Sequence, residues 1–120
     1  MEFGFWGIQG RAEYLRWLIA YLALDVTEVN PPSMEAWQEL KAELKVKQPF
    51  INLPYFKIGN NYYSESIAVA EAIVTRAGRT EMIGKGDQDR ITHSMLRSAL
   101  KDVLSFTYEL WAFSSVADIQ

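Results

Sequence analysis

The chain has 120 residues, 49% hydrophobic and 22% charged, which suits one domain, or one domain with part of a second, and excludes a disordered or collagen-like chain. Twelve basic against fifteen acidic residues give a net charge of -3, with neither half basic, so a nucleic-acid partner has no electrostatic footprint. Zero Cys removes disulfides, thiolate metal sites and a protein thiol nucleophile, and fits a reducing compartment, so a cytoplasmic location is expected.

Phe3 to Ile8 is a short apolar run that predicts a buried strand ending near Gly7, with Gly10 as punctuation. From Arg11 to Leu24 the spacing of Leu15, Leu18, Ile19 and Leu22 predicts a helix. Val26 to Val29 is a second strand, stopped by Pro31-Pro32. Ser33 then N-caps a helix over Met34–Leu44 with Trp37, Leu40 and Leu44 on one face. Tyr55 to Ile58, the turn Gly59-Asn60-Asn61 and Tyr62-Tyr63 predict an antiparallel hairpin. Ser64 or Ser66 can cap the next helix, through Ile67, Val69, Ala70, Ile73 and Val74, which Gly78 ends. The first two strands need a crossover helix and are therefore predicted parallel.

Residues 79–87 are mostly polar and read as a linker. Gln88 to about Phe113 predicts one long helix, striped by Ile91, Met95, Leu96, Ala99, Val103, Phe106 and Leu110, with Tyr108, Trp111 and Phe113 adding apolar area. No apolar run approaches a bilayer span, so no membrane crossing is expected. No metal or nucleotide motif is present, so no metal is expected. His93, the single histidine, has no nucleophile placed beside it and reads as a helix-surface residue.

Four words in this order resemble the cytosolic glutathione S-transferases, mu and sigma types most closely: Gly4-Phe5-Trp6-Gly7-Ile8-Gln9-Gly10-Arg11-Ala12-Glu13, Asn52-Leu53-Pro54-Tyr55, Ser64-Glu65-Ser66-Ile67-Ala68, and Arg90 to Leu96. The resemblance covers residues 2 to about 113. It implies an α/β fold: a thioredoxin-like βαβαββα glutathione-binding domain over residues 1–78, a linker over 79–87, and the first helix of an all-helical C-terminal domain over 88–120. It also implies a cis Leu53–Pro54 bond that presents Leu53's backbone to the cysteinyl unit of glutathione. Ser66 at a helix start would hold the γ-glutamyl carboxylate, a role that competes with plain N-capping. Trp6 and Lys41, with Trp37 nearby, would meet the glycyl end, although Trp6 also suits a core; Asn52, Leu53, Pro54 and Glu65 complete the implied glutathione-binding set.

Three positions depart from the family pattern. The catalytic tyrosine falls on Phe5, which has no hydroxyl for the sulfur. A hydrogen bond to a charged group contributes roughly 1.5–3 kcal/mol, so its loss lowers the thiolate population about 10- to 100-fold. Tyr14, Tyr62 and Tyr63 are the candidates to replace that hydroxyl. The family glutamine is Glu65, whose carboxylate would repel the ligand's α-carboxylate yet attract its ammonium. The acidic residue often lent by a partner subunit falls on Ser94. Only one helix of the second domain is expected, so most of the wall of the electrophile pocket would be absent. Two readings follow. One is a glutathione S-transferase-like protein with impaired catalysis, acting as an interaction subunit through the Gln88–Phe113 helix, as a homodimer or on other proteins. The other is a working transferase that conjugates glutathione to small electrophiles.

Overall fold

The computed structural model describes residues 1–117, with side chains described through Thr107. The chain divides after Thr80 into two compact units. The first holds β1 (Glu2–Gly4), a 3-10 turn (Gly10–Ala12), α1 (Glu13–Tyr21), β2 (Thr27–Val29), α2 (Met34–Leu44), β3 (Tyr55–Ile58), β4 (Asn61–Ser64) and α3 (Ser66–Arg76). The sheet order is β2-β1-β3-β4, with β1 parallel to β2 and antiparallel to β3, and β3 antiparallel to β4.

Strand alternation sorts the core into two layers. Phe3, Phe5 and Phe56 face Ala12 of the 3-10 turn, Leu15 of α1 and Val69 and Ile73 of α3. On the opposite face Tyr55 and Tyr62 meet Trp37 and Leu44 of α2, with Ile51. A sheet in this order, with α2 on one face and α1 and α3 on the other, is the thioredoxin-like arrangement that the sequence implied.

Gly4 makes the second layer possible. It pairs with Tyr55, and a Cβ at Gly4 would lie only 2.0 Å from a carbon of the Tyr55 ring. The ring therefore crosses β1, and its hydroxyl donates to Glu2 Oε1 at 2.7 Å. Trp37 stacks on it at 6.5 Å between centroids. Burial first, and the bond to Glu2 second, push the Tyr55 hydroxyl far above the usual phenol range.

Several boundaries differ from expectation. The first strand stops at Gly4 rather than near Gly7. Phe5 N–H makes one more bond, to Val29 O. Thereafter the carbonyls of Trp6 and Ile8 accept from Arg16, so the segment leaves the ladder without orphaning them. The first helix starts as a 3-10 turn, with Gly10 at φ 54°, and ends at Tyr21 instead of Leu24. Its end is a Schellman motif with Ala23 at φ 50°: Ala23 N–H bonds Ala20 O and Leu24 N–H bonds Ile19 O. The same motif ends α3, there with the predicted Gly78 at φ 70°.

Ser33 caps α2 as expected, accepting from Ala36 N–H at 3.2 Å. The hairpin turn is Gly59-Asn60, and Asn61 already belongs to β4. Neither Ser64 nor Ser66 caps α3. The cap position is Glu65, at φ 69° and without a side-chain bond, and Ser66 is the first helical residue.

Within the predicted linker lies a 3-10 turn (Thr80–Ile83), and the long helix, α4, runs Asp87–Ala117. Asp87 and Asp89 lie in its first turn, where the helix dipole favours acids. Of the predicted stripe, Ile91, Met95, Leu96, Val103 and Phe106 are exposed. The side chains of Tyr108, Leu110, Trp111 and Phe113 lie outside the described residues. No helix among the described residues is long and apolar enough to cross a membrane.

Candidate functional site

Strand register brings three segments to one end of the sheet. Gly4 pairs with Tyr55, and Tyr55 with Ser64. The chain leaving β1 (Phe5-Trp6), the chain entering β3 (Asn52-Leu53-Pro54) and the chain leaving β4 (Glu65-Ser66) therefore converge. In open α/β sheets this end, beyond the carboxyl ends of the parallel strands, is where ligands bind.

The Leu53–Pro54 bond is cis. Among the described residues no hydrogen bond occupies Leu53's backbone N–H or C=O. Its side chain and that of Trp6 are partly buried and pack against both core layers. Beside them Lys41 Nζ donates to Asn52 Oδ1 at 3.4 Å and lies 5.7 Å from the Trp37 ring centroid. Trp37, 3% exposed, is a core residue that supports Lys41. Glu65 is exposed and Ser66 half-buried, at the start of a helix with no side-chain cap and no acid in its first turn. That start offers orphan N–H groups and a positive dipole end. Together these groups can hold an extended peptide carrying a carboxylate at either end.

Phe5 is 6% exposed, with Gly10 against its ring edge and the Arg16 guanidinium 5.8 Å from its centroid. The tyrosines considered as replacements for a hydroxyl there lie in three different settings. Tyr14 OH donates to Ser66 O at 3.0 Å. Tyr62 is buried in the α2 layer. Tyr63 lines a groove of about 480 Å³ with Ile58, Ala72 and Arg76, between β4 and α3. Ser94 and His93 belong to α4 in the second unit. Among the described residues no group of three or more His, Cys, Asp or Glu can hold a metal.

The roles of three residues escaped the sequence reading. Arg16 donates to Trp6 O, Ile8 O, Glu13 and Glu28, and so fixes the Phe5–Gln9 segment. The Glu28 bond is the main cause that holds its pKa above the ordinary arginine value. Tyr14 ties α1 to the start of α3. Ser64 binds Asn52 with both functions of its hydroxyl. Only Ser64 left a local signal: it shares Tyr62's inward phase on β4, where a hydroxyl needs a partner.

A family model, the N-terminal domain of glutathione S-transferase, matches residues 1–75. The class-mu 26 kDa glutathione S-transferase isozyme of Schistosoma mansoni is 29% identical over 104 residues, which cover 85% of this chain and 45% of the relative. The Schistosoma japonicum isozyme is 30% identical over 102 residues, covering 83% and 44%. Among solved structures, the Nu-class enzyme of Haemonchus contortus superposes with a TM-score of 0.65 at 20% identity, covering 87% of this chain and 47% of its own. Rat hPGDS complexed with a quinoline gives a TM-score of 0.64 at 22% identity, covering 87% and 48%. The chain spans about half the length of the curated relatives it matches. With the family model covering more than half of its residues, and with the sheet, the cis proline and the helix start in the family's order, the chain belongs to the glutathione S-transferase family.

Proposed function

We propose that the first unit binds glutathione, that thiol activation is impaired, and that the protein acts in the cytoplasm as an interaction subunit rather than as an efficient transferase. The convergence of Leu53's free backbone groups with the uncapped start of α3 carries the binding part. The cysteinyl unit pairs with Leu53 as an added strand. The γ-glutamyl carboxylate takes the N–H groups at Ser66, while Glu65 faces the ammonium. The glycyl carboxylate takes Lys41, with Asn52 and Trp6 beside it and Trp37 beneath.

The catalytic part rests on Phe5. Its ring has no donor for sulfur, and the Tyr14 hydroxyl is engaged with Ser66 O. The thiol of bound glutathione should therefore titrate near the free thiol value of about 8.5. Thiolate absorbance of the complex reads this directly. Phe5→Tyr is expected to lower that value by about 1–2 units, from a hydrogen bond to charge of roughly 1.5–3 kcal/mol. A wild-type complex already ionised at neutral pH would contradict the impaired reading. It would favour the working transferase, in which the start of the turn at Gly10–Ala12, packed on Phe5, activates the thiol by its N–H dipoles.

The interaction part rests on α4, where Ile91, Met95, Leu96, Leu100, Val103 and Phe106 are each exposed by half or more. Such a stripe favours association with a second copy or another protein. Light scattering at micromolar concentration is expected to give a mass above 13.8 kDa for the chain alone or with its partner. A stable monomer that recruits no partner would contradict it.

A further inference from the structure

We infer that Ser64 is a positioning residue that sets the spacing between the two backbone elements gripping the ligand. This rests on the glutathione-binding reading above.

Ser64 is 8% exposed and is the buried polar residue of the core. Its Oγ accepts from Asn52 N–H at 2.7 Å and donates to Asn52 C=O at 2.8 Å. One hydroxyl thus satisfies both backbone polar groups of the residue before Leu53. Two consequences follow. Asn52 turns its side chain to Lys41 Nζ. Leu53, next in the chain and followed by the cis bond to Pro54, is left with both its backbone groups unpaired.

On the other side of Ser64 the chain turns at Glu65, φ 69°, into the first residue of α3. Non-glycine residues adopt that region rarely, and the clasp next to it holds the turn in place. Among the described residues Ser64 is therefore the side chain that both bonds the residue before Leu53 and directly precedes Glu65, the cap position of α3. A ligand that spans from Leu53 to Ser66 meets both ends of a single brace. Ordinary packing at this position needs no hydroxyl, since alanine fills nearly the same volume.

The test titrates glutathione into the full chain carrying Ser64→Ala, Ser64→Thr or no change. Nuclear magnetic resonance follows the Asn52 and Leu53 amides, and near-ultraviolet circular dichroism confirms the fold. Losing both bonds of a buried hydroxyl is expected to weaken glutathione about tenfold, with the Leu53 amide shifted already in the free protein. Ser64→Thr keeps the hydroxyl and should return affinity to within about threefold, since only the bonds set the spacing. Should the alanine variant fail to fold, Ser64→Cys repeats the measurement with a side chain of similar size and a much weaker donor, and the same loss is expected. Wild-type affinity in a folded Ser64→Ala or Ser64→Cys variant, or failure of threonine to restore it, overturns the positioning role alone. A wild-type chain that does not bind glutathione overturns the binding reading, and this inference with it.

Discussion

Gly4→Ala is expected to cost roughly 3 kcal/mol or more, at the upper end of core overpacking, and to lower the melting temperature by on the order of 15 °C. The Cβ would lie 2.0 Å from the nearest carbon of the Tyr55 ring, and Tyr55 is 1% exposed, so the ring cannot move out into solvent without losing its burial. Displacing the ring breaks its bond to Glu2, its stack on Trp37 and its packing on Tyr62, 5.9 Å away between centroids. The clash can be isolated by a double-mutant cycle. In a Tyr55→Ala background the same Gly4→Ala change should cost less than about 1 kcal/mol, because the ring that it strikes is gone. Thermal unfolding of the four proteins supplies the numbers. A melting shift of only a degree or two for Gly4→Ala would show that the sheet yields locally, and that the second core layer does not depend on the glycine.

Arg16→Ala should weaken both stability and the ligand site. The Arg16 side chain is 20% exposed, and its guanidinium donates to Ile8 O at 2.8 Å, Trp6 O at 2.9 Å, Glu13 Oε2 at 3.0 Å and Glu28 Oε1. It also sits 5.9 Å from the Phe3 ring centroid. Its removal leaves two carbonyls and two carboxylates to find water, and a loss of about 2–3 kcal/mol is expected once partial solvent access is allowed for. Trp6 is released with the loop, so glutathione affinity should fall by about tenfold in a variant that remains folded, a single positioning bond's worth. Arg16→Lys should recover little, because an ammonium cannot span the fork of acceptors on both sides. Chemical denaturation and a glutathione titration of both variants check this. Wild-type behaviour in Arg16→Lys would reduce the network to a simple charge.

These two residues mark the line between what sequence carried and what it did not. The α2 helix was legible because its signals are local: the Ser33 cap, and Trp37, Leu40 and Leu44 on one face. The hairpin was legible for the same reason, with Gly59-Asn60 between two aromatic strand segments. The cis bond at Pro54 followed from a short family word. The end of β1 was not legible. Phe3 to Ile8 is apolar throughout, and the residue that draws Trp6 and Ile8 away from a strand is Arg16, in the middle of the next helix. The end of α1 was missed because alanine at position 23 takes the left-handed conformation without the glycine that usually marks it. At the site, the resemblance named Trp6, Lys41, Asn52, Leu53 and Ser66 as expected ligand contacts, while capping logic offered Ser66 as the cap, a position that Glu65 holds. The braces that hold these residues, Ser64 and Tyr14, act across strands and helices far apart in sequence, and composition says nothing of such pairs.

The Phe5 position gives the account its functional shape. On the proposed reading, a binding end built from backbone groups tolerates change in side chains, so glutathione would still be recognised with phenylalanine at position 5. Backbone recognition at Leu53 and the start of α3 would then be independent of position 5, which is why the proposal separates affinity from reactivity.

The central claim, that glutathione binds across the ends of β1, β3 and β4, is tested most directly by titrating glutathione into the isotope-labelled chain and following backbone amides. The account predicts saturable one-to-one binding that is half complete at about 1 mM ligand, a binding free energy of roughly 4 kcal/mol, with the largest shifts at Trp6, Leu53 and Ser66. No saturation at about ten times that concentration, or shifts confined to other parts of the chain, would contradict it.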